Sequence, residues 1–239
     1  MKRIIPIKHE KIWGYEIWLN SPVVGKETSF EDGNLTKEGP LVKIIKANMP
    51  LSVQVHPDDN LAKELENQEN GKSESWYILD AEKDAELVLG LNDYEEEAIR
   101  KQITNGLFED NLIKQKISKN EFYNIPAGLI HGIGAGCLVF EIQQPSDVTY
   151  RYYDYNRLEN GKPRELHIDK ALRSQKNLDW NLKQDSEGYF DLGFCKQKYF
   201  NQLSKVKTNS IVVNLETYET FLTQKEEEIN FNKYVVIEW

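Results

Sequence analysis

The chain is poor in cysteine, histidine and long apolar runs, and it carries no excess of positive charge. Its two cysteines, Cys137 and Cys195, cannot build a disulfide framework and neither belongs to a Cys-x-x-Cys pair, so a reducing, cytoplasmic setting is expected. No apolar run is long enough to cross a membrane, and the basic start Met1-Lys2-Arg3 is not followed by the apolar stretch a signal peptide needs. The formal charge of −9, without any Lys/Arg stripe, argues against a nucleic-acid partner. An anionic small ligand would therefore need a local cationic pocket. No segment repeats at a short fixed period.

What is present is a series of short strand-like segments. Leu41–Lys46 and Leu51–His56, joined through Asn48-Met49-Pro50, read as a hairpin, and a short helix through Leu61–Leu65 capped by Asp58 or Asp59 follows. Further strands are expected at Glu74–Leu79, Glu121–Ile125, Gly136–Gln143 and Val148–Tyr155. Helical spacing is seen over Tyr94–Ile103, Leu107–Ile113 and Leu166–Ser174. Strand candidates resume at Gly188–Cys195, Tyr199–Val206, Ser210–Leu215, Glu219–Leu222 and Tyr234–Ile237. Many short strands with Gly/Pro turns indicate a mainly β sandwich or barrel.

The chemistry is concentrated in a few stretches. In Leu51–His56 the apolar Leu51, Val53 and Val55 share one face, and Ser52, Gln54 and His56 share the other. Such a polar row is ordinarily a solvated outer face. Lys72, Glu74 and Trp76 alternate in the same way, and a lone Lys/Glu pair is ordinarily a weak surface ion pair. His131 follows the turn Ile125-Pro126-Ala127-Gly128, whose glycine lets the backbone bring an imidazole inward. Taken alone, it reads as a structural histidine.

The order and spacing of these pieces resemble type I mannose-6-phosphate isomerase in its short bacterial form. The resemblance runs through Trp13-Gly14, Gln54–Asp59, Lys72-Ser73-Glu74, Ile125–Gly128 with His131-Gly132, Thr149-Tyr150-Arg151 and Arg164–Leu172, about three-quarters of the chain. It implies a cupin-type jelly-roll β-barrel with a few short helices, residues 1–160 forming the catalytic barrel. Residues 161–239 would add a helix and a short cupin-like β module, smaller than the family's second barrel, incomplete, or completed by a partner. By the same resemblance Gln54, His56, Glu74 and His131 would hold one divalent metal ion, normally zinc. Independently of it, two imidazoles, a carboxylate and an amide oxygen suit a divalent cation, without excluding manganese, iron or cobalt.

The implied reaction is the interconversion of mannose 6-phosphate and fructose 6-phosphate through an enediol, whose oxyanion a Lewis acid or a guanidinium stabilises. Arg151, Lys72 and Glu141 are the candidate catalytic residues, with proton abstraction open between Glu141 and Lys72. Ser52, Lys43, Lys72 and Arg151 are expected to bind the phosphorylated sugar. A non-catalytic cupin that binds a sugar or sugar phosphate is the alternative. An oxygen-using iron cupin is a third reading, which Gln54 and the cationic residues fit less well. Oligomeric state is not legible.

Overall fold

A computed structural model gives the fold, described here for residues 1–181 and 184–239. The architecture is mainly β, as expected, with short helices at Asp59–Glu66, Glu96–Thr104 and Ile168–Ser174. Asp58 caps the first helix by accepting the Leu61 N–H at 3.0 Å.

Two antiparallel sheets form the barrel. One has six strands in the order Phe122–Ile125, Glu74–Ala81, Cys137–Gln143, Leu41–Ala47, Gly14–Asn20, Ile7–Lys11. The other has five: Tyr150–Tyr153, Val53–Val55, His131–Ile133, Glu86–Leu91, Leu112–Lys116. Their inner faces close on a core that includes Ile45, Trp76, Ile78 and Val139 from the first and Leu87, Leu89 and Ile133 from the second. Val53, Val55 and Val88 point out of the five-stranded sheet and are covered by Ile99, Phe108 and Ala171.

The six-stranded sheet is buried on both faces. Its far side, with Val42, Ile44, Phe140 and Ile142, packs on Val213, Val235 and Ile237. Two-sided burial explains why Leu41–Ala47 and Cys137–Gln143 read as nearly continuous apolar runs rather than alternating ones. The covering layer is a seven-stranded sheet that joins C-terminal strands to Lys2–Ile5 and Ser29–Phe30. The stretch expected as a C-terminal module thus takes two strands from the N-terminus, with Lys2 opposite Leu222.

Four local expectations change. The strand expected at Tyr199–Val206 is two, Lys196–Phe200 and Ser204–Val206, in different sheets. Leu41–Ala47 and Val53–Val55 are not a hairpin: the first pairs with Gly14–Asn20 and Cys137–Gln143, the second with His131–Ile133 and Tyr150–Tyr153. The residues around Asn48-Met49-Pro50 carry the chain from one sheet to the other, so Lys43 reaches the interior from the wall opposite Gln54. Leu107–Ile113 is helical only as a short 3-10 helix at Phe108–Asn111, which runs straight into the strand Leu112–Lys116. Of Gly188–Cys195, only Phe190–Asp191 is strand.

Candidate metal centre

The five-stranded sheet supplies Gln54 and His131 as direct cross-strand neighbours, and Arg151 flanks Gln54 on its other side. His56 follows Val53–Val55 immediately, and Glu74 opens the facing strand of the six-stranded sheet. Alternation along Val53–Val55 sends the valines outward and Gln54 inward, so three separated stretches converge inside the barrel.

The ligand atoms of His56, Glu74 and His131 all lie within 4.8 Å of one another. His56 Nε2 and His131 Nε2 are 3.2 Å apart, and Glu74 Oε1 is 3.5 Å from the first and 3.2 Å from the second. Two ligands bonded at ~2.1 Å in tetrahedral directions stand about 3.4 Å apart. The observed separations are those of atoms sharing one ion.

The proton positions agree. His56 Nδ1 donates to the Val148 carbonyl at 2.9 Å and His131 Nδ1 donates to the Leu129 carbonyl at 2.8 Å. A carbonyl can only accept, so each Nδ1 carries the hydrogen and each Nε2 presents a lone pair to the centre. Glu74 is 1% exposed, and neither of its carboxylate oxygens has a hydrogen-bond donor among the described residues. Lys72 Nζ lies 3.0 Å from Glu74 Oε2, a distance for an ion pair without the angle of a hydrogen bond, and 3.0 Å from His56 Nε2. Lys72 compensates Oε2, whereas Oε1 faces the two imidazole Nε2 lone pairs with no proton between them, a buried arrangement that a cation among the three relieves. These residues therefore fit a divalent metal.

Gln54 belongs to the cluster through its amide, with Nε2 3.4 Å from His131 Nε2 and Oε1 accepting from the Ser52 hydroxyl at 3.1 Å. A half-turn of the amide aims the oxygen at the centre, and the Ser52 hydroxyl, which can donate or accept, bonds either orientation.

Electrostatics leaves the donors ready. Burial first, then the charge of Lys72, pushes His56 down to about 3, against the pull of Glu74. Burial alone would raise Glu74, but Lys72 and His56 outweigh it and hold the carboxyl well below its usual range. For the metal-free protein this sets a pH dependence. Unfolded His56 takes up a proton near 6.5 and folded His56 near 3, so between those values the unfolded state binds the extra proton. Stability should therefore fall as pH falls through that window, by at most about 1.4 kcal/mol per pH unit for this one group. Urea unfolding of metal-free protein at pH 7.5 and pH 5 measures it, and a flat profile would contradict the assignment.

A wider polar cleft of about 300 Å³ opens from the centre, with Ser52, Gln54, Lys43, Lys72 and Arg151 on its wall. Lys43 and Glu141 are deeper. Lys43 Nζ donates to Glu141 Oε1 at 3.0 Å and to Gln143 Oε1, and Glu141 Oε2 accepts the Trp76 indole N–H at 2.8 Å. Burial lowers Lys43, but the carboxylates of Glu141, Glu16 and Glu74 reverse this and raise it. Glu141 is raised by burial and by the charge of Glu74, against Lys43 and Lys72. Arg151 forms no ion pair with any carboxylate among the described residues, and its buried Nε has no acceptor.

All the expected site residues thus border one interior. Not foreseen were Lys11, Glu16, Trp18, Lys26 and Asp147 on the same cleft. The signal was available in Gly14–Asn20, where Glu16 and Trp18 alternate with apolar residues. Gly14 shows why the strand lies so close: a Cβ there would stand 1.9 Å from the Lys46 carbonyl oxygen.

Gly71 is the other glycine the site requires. Its amide donates to Asp59 Oδ1 at 2.7 Å while Lys72 N donates to the Pro57 carbonyl at 3.0 Å, tying the Lys72–Glu74 entry to the His56–Asp59 turn. A Cβ at position 71 would lie 2.5 Å from backbone atoms of Pro57 and Asp58. Gly71→Ala should cost about 1–3 kcal/mol of stability and weaken metal retention, read by urea unfolding and zinc content. Unchanged values would remove this tether from the account.

Comparison with known proteins agrees with this geometry. Residues 4–103 match the family model for the catalytic domain of type I phosphomannose isomerase. The chain is 44% identical over 158 residues to the probable mannose-6-phosphate isomerase GmuF of Bacillus subtilis, covering 66% of this chain and 49% of that protein. To the mannose-6-phosphate isomerase ManA of the same organism it is 46% identical over 133 residues, 55% of this chain and 42% of that one. It spans about half the length of the curated relatives it matches. The fold is shared with a crystal structure of mannose 6-phosphate isomerase from Bacillus subtilis, at a TM-score of 0.79 and 24% identity over 100% of this chain and 99% of the other. A mannose 6-phosphate isomerase solved with zinc and yttrium bound has a TM-score of 0.70 at 12% identity, over 100% of this chain and 99% of that one.

Proposed function

We propose that this chain, whose residues 4–103 match the type I phosphomannose isomerase catalytic domain, is a metal-dependent aldose–ketose isomerase that interconverts mannose 6-phosphate and fructose 6-phosphate. The observation that carries the reading is the convergence of two Nε2 lone pairs and a Glu74 carboxylate oxygen, which has no hydrogen-bond donor among the described residues, on one point inside the barrel. His56, Glu74, His131 and the Gln54 amide oxygen would hold one ion, and zinc is the metal we assign. When bound, such an ion supplies a Lewis acid for the sugar's C1 and C2 oxygens.

The chain's own groups do the rest. Glu141 takes the proton from C2 of the aldose and returns it to C1, while a proton passes between the two oxygens, so the conversion consumes nothing. Its basicity is strengthened by burial and by Glu74, and Lys43 and Trp76 hold it in place. Lys72 and Arg151 stabilise the negative charge of the enediolate. Ser52 orients Gln54 and faces the sugar. Cytoplasmic residence is part of the proposal and suits two buried, unpaired thiols.

Zinc-loaded protein should convert mannose 6-phosphate in a coupled assay. Tight binding without turnover would point instead to a sugar-phosphate-binding cupin.

A further inference from the structure

The cleft beside the metal centre is cationic, although the whole chain carries −9. Its basic residues differ in where their partners stand. Lys26 pairs with Asp147 at 2.5 Å and Lys11 with Glu16 at 3.6 Å, and both carboxylates are on the cleft wall, where they offset the lysines for any incoming anion. Lys43 and Lys72 are committed to Glu141 and Glu74 at the centre.

Arg164 is arranged differently. Its Nε donates to Asp154 Oδ2 at 2.7 Å and its Nη2 to Asp154 Oδ1 at 2.5 Å, and Asp154 is buried and does not line the cleft. Arg157 grips the same carboxylate, and it is itself held by the Pro50 carbonyl. The fork is therefore anchored from behind. Of its five N–H groups two are used, leaving three for the cleft that Arg164 borders.

Next to it is Arg151, the cleft cation that has no ion-pair partner among the described residues. The strand of Arg151 is bonded to the segment that carries Arg164, with His167 N donating to Arg151 O at 2.8 Å and Arg151 N donating to His167 Nδ1 at 3.2 Å. The proximity of Arg164 adds to burial in lowering Arg151 from its usual range. Arg151 and Arg164 are the guanidiniums on the cleft wall, while the carboxylates that act on Arg151, namely Asp154, Glu159 and Glu165, all stand off that wall. This stretch of the wall thus presents two forks to a phosphate monoester, which carries about −1.5 to −2 at pH 7.

The residues are also in the right order. Gln54 has Arg151 as its cross-strand neighbour, the Arg151 strand is the edge of its sheet, and the segment that carries Arg164 is bonded to that edge through His167. In a hexose 6-phosphate the anion sits on the carbon farthest from the C1–C2 pair.

We infer that Arg164, anchored by Asp154 and Arg157 beside Arg151, receives the phosphate monoester of the substrate and so sets the preference for a phosphorylated over a neutral hexose. The inference rests on the isomerase reading for the identity of the sugar, but not for the anion.

Arg164→Gln and Arg164→Lys decide it. For Arg164→Gln, KM for mannose 6-phosphate should rise about 10- to 100-fold, the range for losing charge-assisted hydrogen bonds. The kcat should stay within about threefold and the zinc content should be unchanged. Arg164→Lys keeps the charge but not the fork and should fall between that variant and the parent. Calorimetric titration of the zinc-loaded proteins with inorganic phosphate should show the same ranking. If Arg164→Gln does not fold, Arg164→Lys carries the comparison. Phosphate affinity and KM within twofold of the parent in a folded variant would overturn the assignment, as would a parent protein that takes up no phosphate. A parent that binds phosphate, loses that binding on Arg164→Gln, and yet turns over no mannose 6-phosphate would refute the isomerase reading alone and leave the receptor standing.

Discussion

Replacing His131 by alanine is expected to empty the metal centre and reduce turnover of mannose 6-phosphate by at least about 10³-fold, because even partners that only orient a ligand cost about 10–100-fold when removed. His131 is fixed at both ends, its Nδ1–H on the Leu129 carbonyl and its Nε2 3.2 Å from both His56 Nε2 and Glu74 Oε1. Gly128, at φ +99°, turns the chain before it, and no other histidine is near enough to substitute. Zinc content by mass spectrometry and the coupled assay read the result. Chelation of the parent protein should produce the same loss and zinc should reverse it, whereas added zinc should not rescue His131→Ala. A variant that keeps stoichiometric zinc and full turnover would place the reaction elsewhere.

Arg151→Ala should lower kcat by about 10²–10³-fold, the usual cost of removing a preorganised donor from a developing oxyanion, with zinc content unchanged. Among the described residues Arg151 forms no ion pair with a carboxylate, and its buried Nε is without an acceptor. Both features leave its charge available to a reacting group. Arg151→Lys should recover part of the loss, since charge returns without the planar fork. A kcat within twofold of the parent for Arg151→Ala would remove Arg151 from the catalytic set.

The site was more legible than the fold that holds it. Strict alternation in Leu51–His56 forces Ser52, Gln54 and His56 onto one side whatever the strand pairs with, so the polar row could be read directly. Its partners could not. Lys43 was assigned to an adjacent strand because Leu41–Lys46 and Leu51–His56 are separated by so little chain, and only the packing shows that the link crosses between sheets. Ile7–Lys11 and Gly14–Asn20 escape the pattern because charged residues interrupt both, the first as the edge strand of the sheet and the second as its neighbour. With them went Glu16 and Trp18. Contacts between Lys2–Ile5 and the strand around Leu222 span almost the whole chain and leave no local pattern. Arg164 stood within a motif that could be quoted, yet its role depends on Asp154 lying behind it, a fact of tertiary packing alone.

The central claim is that three separated stretches of chain converge on one divalent ion. Anomalous scattering at the zinc edge from crystals of zinc-loaded protein tests it most directly. The account predicts one peak within bonding distance of His56 Nε2, His131 Nε2 and a Glu74 oxygen, with the Gln54 amide turned toward it. A peak held by other side chains, or no peak at the barrel centre of fully loaded protein, would contradict it.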